Sequence, residues 1–250
     1  MNAPLESAIN LLILIAMPFV FAGLASKTKA FWSGRRGAPV FQPLFNFIKL
    51  MRKGQVISSA SSFVFRIYPS AVLASVVLAA LLVPVGGHRS LVSFEGDFLV
   101  FALALGLAGF CGLVGAMDVG SPFEGMGASR EASFTSLVEM AFFVIAAAMA
   151  GLAGRYSLQS IFSFPAQAEQ LVILTGILAV VALFLMLLLE GSRVPIDDPE
   201  THLELTMIHE VMVLDNSGPD LAYLQYAANL KMVVFASLIV NLVSPTGLAY

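Results

Sequence analysis

Hydrophobic positions along this chain fall in long unbroken runs, not in the alternating or 3.6-residue stripes of half-buried elements. Six runs approach the roughly 20 apolar residues that a helix needs to cross a bilayer: 5–25, 67–85, 98–117, 134–154, 171–189 and 221–243. Backbone amides in lipid must be satisfied within their own segment, so each run predicts a helix. The first follows MNAPLESAIN, which has no basic cluster and carries Glu6, and so reads as a retained helix and not a cleaved signal. The last is the least uniform, because it contains Asn229 and Lys231. One shorter stretch has a different period. In FQPLFNFIKLMRKG, Phe41, Leu44, Phe45, Ile48 and Met51 recur at helical spacing, with Lys49, Arg52 and Lys53 on the other side. This predicts an amphipathic helix on the membrane surface, held by anionic lipid or docking a partner.

Composition agrees. The chain is 58% hydrophobic and 12% charged, where a soluble domain carries about 25% charged residues. The expected fold class is an all-α integral membrane protein, 1–250 forming a single membrane domain. One cysteine, Cys111, excludes an internal disulfide and a multi-cysteine metal or cluster site.

Charge orients the runs. Eight of the 13 Lys and Arg residues lie between 27 and 66, and no acidic residue occurs between Glu6 and Glu95. The positive-inside rule places loops 26–66, 118–133 and 190–220 in the cytoplasm and both termini outside. Acidic residues gather on the same side. Asp118, Glu124 and Glu131 fall in the second of these loops, and EGSRVPIDDPETHLELTMIHE at 190–210 holds six carboxylates and one arginine. Acid and base mixed on one face exceed what topology alone requires.

Within these segments particular residues stand out. Glu139, expected about one and a half turns inside the fourth span, must be protonated, paired or facing a wet cavity. Arg130 pairs with it only if the chain bends between them. Glu190 ends the fifth span, with Arg193 one turn on. Lys231 lies about ten residues from either end of the sixth, too far for easy snorkelling, which favours an internal partner. Glu200 and Glu204 stack at i and i+4 on a helix expected to begin at Asp198 or Pro199, where like charges repel. His202 and His209 share another stripe, but their spacing is not that of a zinc protease. Glu210 and Asp215 complete the acidic series. The glycines of SPFEGMGASREA predict a tight loop. No phosphate loop, nucleophile elbow, cluster motif or metal site is visible, and nothing indicates nucleic-acid binding.

EGSRVPIDDPETHLELTMIHEVMVLDNSGPDL resembles the signature of the complex I subunit that joins the membrane arm to the peripheral arm, the NADH dehydrogenase subunit 1 family. THLELTMIHE, VLDNSGPDL, SPFEGMGASREASFTSLVEMAFF and QPLFNFIKLMRKG are most similar to the matching subunit of group 4 membrane-bound NiFe hydrogenases such as formate hydrogenlyase. Together these blocks cover about 30–240. RRGAPVFQP stands where complex I relatives have a longer GPNRVGP-like stretch, Asn46 stands where an Asp is usual, and the family continues for about two further helices. By position, the resemblance makes Glu139, Glu190, Asp197, Glu200, Glu204 and Asp215 an ion-coupling series, with Arg130 and Arg193 as charge partners, and Glu210 of the acidic cluster and Lys231 of the sixth span are expected to join it. Arg35, Arg36, Lys49, Glu131, His202 and His209 are expected at the interface with the peripheral arm.

The resemblance implies a membrane-anchoring, energy-coupling subunit of a respiratory-type oxidoreductase complex in a prokaryotic cytoplasmic (inner) membrane. This chain would bind no cofactor itself. Fe–S clusters and a NiFe centre would sit in hydrogenase-like peripheral subunits, antiporter-like membrane subunits would move protons or sodium, and quinone remains open. Competing readings are a quinone-site subunit of a complex I-type NADH dehydrogenase, a secondary ion transporter using Glu139 and Lys231, and a passive anchor.

Overall fold

The structure, a computed structural model, describes residues 3–86, 89–162, 170–191, 197 and 207–243. Arg193, Glu200, His202 and Glu204, and the helix expected to begin at 198 or 199, lie outside the described residues. The described residues form helices and connections, with no strand. In chain order the helices are α1 (Ala3–Trp32), α2 (Gln42–Met51), α3 (Phe63–Leu82), α4 (Asp97–Asp118), α5 (Pro122–Ala153), α6 (Leu158–Ile161), α7 (Gln170–Glu190), α8 (His209–Met212) and α9 (Gly218–Val243). α1, α3, α4, α5, α7 and α9 are each long and apolar enough to cross a membrane. The protein is an all-α, multi-pass membrane protein.

Neighbouring helices close into a ring. α3 packs on α4, α4 on α5, α5 on α7, α7 on α9, and α9 back on α3, while α1 lies outside against α9. Tyr226 of α9 donates to the Leu14 and Ile15 carbonyls of α1 at 3.4 and 3.3 Å. The ends are tied by polar side chains. Asp118, closing α4, accepts from the Ser62 and Phe65 amides at 2.8 and 3.3 Å and so caps α3. At the opposite end Asp97 is fully buried and accepts from the Leu158 amide and, at 3.3 Å, from the Phe94 amide. There the Phe101 and Phe142 rings meet at 5.1 Å, with Phe162 behind them.

Two segments differ from the sequence expectation. Residues 122–133, expected as loop, are the first turns of α5, which runs unbroken from Pro122 to Ala153. Proline in the first turn suits a helix start. Ser129, Ser133 and Ser136 turn their hydroxyls onto the carbonyls of Met126, Ser129 and Ser133 at 2.9, 3.2 and 2.9 Å, so a polar stretch stays helical. Gly127 there serves packing, not a turn: a Cβ on it would meet the Ile208 carbonyl oxygen at 2.9 Å and Met212 Cγ at 3.0 Å.

The second is α2. It is the expected amphipathic helix, but the residue that holds it to the protein is Phe47, whose ring lies 5.5 Å from Phe19 and 5.8 Å from Tyr226. Phe41, Phe45, Ile48 and Met51 are exposed. That apolar face points away from the bundle, as a lipid-facing surface would.

Candidate functional site: an alternating charge chain at a cavity between the helices

A cavity of about 280 Å³ opens inside the ring. It is lined by Tyr68 and Val72 of α3, Gly109 and Gly112 of α4, Glu131 of α5, Lys231 of α9, and Asp197, His209 and Glu210 of the incoming chain. Tyr68 and Glu131 lie toward the starts of α3 and α5 and Gly112 toward the end of α4, while Lys231 is near the middle of α9. The cavity therefore sits in the half of the bundle that carries the lysine- and arginine-rich 26–66 segment, here called the basic face.

α8 carries the first charges into it. Asp197 is 2% exposed and accepts from the Ile208 and His209 amides at 3.2 and 3.1 Å, satisfying two donors at the start of this one-turn helix. The His209 ring lies between two carboxylates, Nδ1 3.5 Å from Asp197 Oδ2 and Nε2 3.4 Å from Glu131 Oε1. Burial alone would lower the pKa of His209. The carboxylates of Asp197 and Glu131 outweigh it and raise the imidazole to about 9, so it is a cation at neutral pH. Burial would likewise raise the Asp197 carboxyl. His209 and the two amides outweigh burial together and hold it below the ordinary carboxylate value.

The series continues into the bundle. Glu131 is 8% exposed and takes the Thr135 hydroxyl hydrogen bond at 3.2 Å. Lys231 is near enough for its charge to act on Glu131, and its Nζ lies 2.8 Å from Glu190 Oε2. Both members of that pair are about nine-tenths buried. Asp197, His209, Glu131, Lys231 and Glu190 thus form a chain of alternating sign. Removing a charge from water costs several kcal/mol or more, so each ion is stabilised by its neighbours.

Glu139 stands deeper. It is the 18th of 32 residues in α5, well beyond the expected one and a half turns, because the helix starts twelve residues earlier than the apolar run. It faces the middle of α4, where a Cβ on Gly106 would lie 2.6 Å from its Oε1. Arg130 does not pair with it. Nine helical residues separate the two by about 13 Å and half a turn of azimuth, and Arg130 instead donates to the Met207 carbonyl at 3.4 Å.

The remaining sequence candidates separate. Glu210 is exposed at the cavity, and Asp215 is exposed while its amide donates to Glu124 at 3.2 Å. Arg35, Arg36 and Lys49 are exposed, as an interface role requires. Glu131 and His209, also expected at the partner-arm interface, line the cavity, Glu131 buried and His209 half-buried. Sequence reading also passed over three groups. Glu124 is fully buried, Asp220 is 6% exposed and accepts from Gln55, and the Tyr68 hydroxyl accepts from Asn216. Glu124 and Asp220 were readable only as loop acids, and Tyr68 as one apolar position among many. Among the described residues no cluster of three or more His, Cys, Asp or Glu side chains is arranged to hold a metal ion.

A chain of alternating charges entering a helical ring sets this molecule apart from a plain bundle of apolar spans, and comparison with known proteins gives it a family. The NADH dehydrogenase family model matches residues 6–246, and the chain belongs to that family. It is 30% identical over 237 residues to hydrogenase-4 component C of Escherichia coli (strain K12), covering 95% of this chain and 74% of that one. It is 27% identical over 243 residues to formate hydrogenlyase subunit 4 of the same organism, covering 96% and 77%. A chain in the structure of the membrane-bound sulfane sulfur reductase, an archaeal respiratory membrane complex, superposes with a TM-score of 0.75 at 19% identity, covering 97% and 79%. That likeness shows a shared fold.

Proposed function

We propose that this chain is the membrane-anchoring, energy-coupling subunit of a respiratory-type oxidoreductase complex of the hydrogenase-4 and formate hydrogenlyase kind, in a prokaryotic cytoplasmic membrane. The basic face would meet a peripheral arm carrying Fe–S clusters and, in the hydrogenase type, a NiFe centre. Redox events there would be passed along the charge chain as changes in protonation and handed to antiporter-like membrane subunits. The observation that carries this reading is the alternating series from Asp197 to Glu190 around a cavity. A passive anchor has no need to line up five charges of alternating sign, three of them buried. Glu139, at mid-bundle on the face of α5 that carries Glu131, is the natural next station. Glu190, Glu210, Asp215 and Lys231 belong to the same coupling machinery in this reading, and Glu200 and Glu204 would extend it along the 198–206 segment.

The test is Glu139→Gln in the assembled complex, measuring ions moved per electron transferred in sealed vesicles. We expect normal assembly and a fall in that ratio of at least tenfold. An unchanged ratio would return the chain to the role of anchor.

A further inference from the structure

Three residues of α5 lie one turn apart on a single face: Glu131, Thr135 and Glu139. Opposite them α4 presents Gly112, Gly109 and Gly106, also about one turn apart and in antiparallel order. The two rows mesh. Gly112 lines the cavity beside Glu131 and has nothing within 4 Å of where a Cβ would stand. At Gly109 that Cβ would meet Thr135 Cγ2 at 3.1 Å and Oγ1 at 3.9 Å, and at Gly106 it would meet Glu139 Oε1 at 2.6 Å. The groove on α4 is thus filled by the polar row of α5, open at the cavity and closed on Glu139. The helix–helix contact gives up ordinary apolar packing at this place to house the Glu139 carboxylate and the Thr135 side chain.

From this arrangement we infer that Thr135 is the hydroxyl link that passes protons between Glu131, at the cavity, and Glu139, at mid-bundle. The inference rests on the coupling role proposed above. The Thr135 hydroxyl already donates to Glu131 at 3.2 Å. When that hydrogen moves fully to the Glu131 carboxylate, Oγ1 takes a proton from a protonated Glu139 in the same step. Two O–H bonds break, at Thr135 and at Glu139, and two form, at Glu131 and at Thr135, so the hydroxyl is restored and one proton has moved from Glu139 to Glu131. Reversing both transfers carries a proton inward. Of the hydroxyls between the two carboxylates on α5, those of Ser133 and Ser136 turn onto the helix's own carbonyls, and only that of Thr135 is directed at Glu131. The threonine methyl fills the groove at Gly109 and fixes the rotamer that aims the hydroxyl at Glu131.

Valine keeps the methyl and the shape of threonine while removing the hydroxyl. Serine keeps the hydroxyl and loses the methyl. The experiment compares Thr135→Val, Thr135→Ser and Glu139→Gln in the intact complex, in inverted vesicles in sodium-free medium. It reads quenching of a ΔpH-sensitive acridine dye per electron transferred. We expect Thr135→Val to lower that ratio about tenfold or more, and Thr135→Ser to retain at least a third of it. A structural role alone predicts the reverse order, since serine leaves the groove underfilled. A normal ratio in Thr135→Val with a collapsed one in Glu139→Gln overturns the link and leaves the coupling role standing. Normal ratios in both overturn the coupling role as well.

Discussion

The Lys231–Glu190 pair allows the sharpest energetic test. Its atoms are 2.8 Å apart and the two side chains are only 11% and 8% exposed. With an effective dielectric constant of about 20, the attraction at that distance is about 6 kcal/mol. Desolvation of the two ions offsets most of it. Removing one partner leaves the other charge buried and uncompensated, at a cost of about 3–5 kcal/mol. Removing both leaves two neutral groups of similar volume, for a net change of about 1 kcal/mol or less. Lys231→Met and Glu190→Gln should therefore each destabilise strongly, and the double variant should recover most of the loss. At about 2–4 °C per kcal/mol for a chain of this size, each single variant should melt about 6–20 °C below the native complex. The assay is thermal aggregation of detergent-solubilised complex, followed by a fluorescent tag on this chain. The reasoning fails if the double variant loses the sum of the two single losses, because additive effects would mean that the charges do not meet.

Two further outcomes follow from the site. His209 is raised from an ordinary 6.5 to about 9, so its contribution to stability is complete below pH 6.5 and is lost as pH rises through 9. The side chain is about a quarter exposed, and solvent screening reduces the contribution to about 1–2 kcal/mol. Melting temperature should fall across that window in the native complex and stay flatter in His209→Gln. A native profile level from pH 6.5 to 9 would disprove the imidazolium assignment. In Gly106→Ala the new methyl would press on Glu139 Oε1, the free end of a long side chain. The carboxylate should swing aside at a cost of about 1 kcal/mol, while ions moved per electron fall severalfold. A large loss of stability with normal coupling would show that the backbone moves instead.

Much of this was legible in the sequence, in a particular way. Hydropathy located all six long helices because lipid imposes one rule on every buried amide. It misplaced the start of α5 because that rule is silent where polar side chains satisfy their own helix. The need of Lys231 for an internal partner was readable from its depth, but Glu190, 41 positions away, could not be named. The meeting of Glu131 and His209 at the cavity was hidden for the same reason. A carboxylate and a histidine 78 positions apart look unrelated until a short helix brings the imidazole to 3.4 Å from the carboxylate on α5. Asp97 illustrates the limit: a lone acid before an apolar run reads as a loop residue, yet it is fully buried and binds the backbone leading into α6.

The continuity of α5 has a mechanical consequence. α8 rests on this helix at Gly127, and the backbone just before α8 is gripped by Arg130. Glu139 lies about 13 Å further along the same rod. An unbroken helix has no joint over that distance, so a displacement imposed at the basic face travels along α5 without being absorbed. Glu131, Thr135 and Glu139 then shift together against the glycines of α4, keeping their mutual spacing while their register with α4 changes. Any gate in this path is better sought at the sliding seam between α4 and α5, or where the chain enters at Asp197, than within α5 itself.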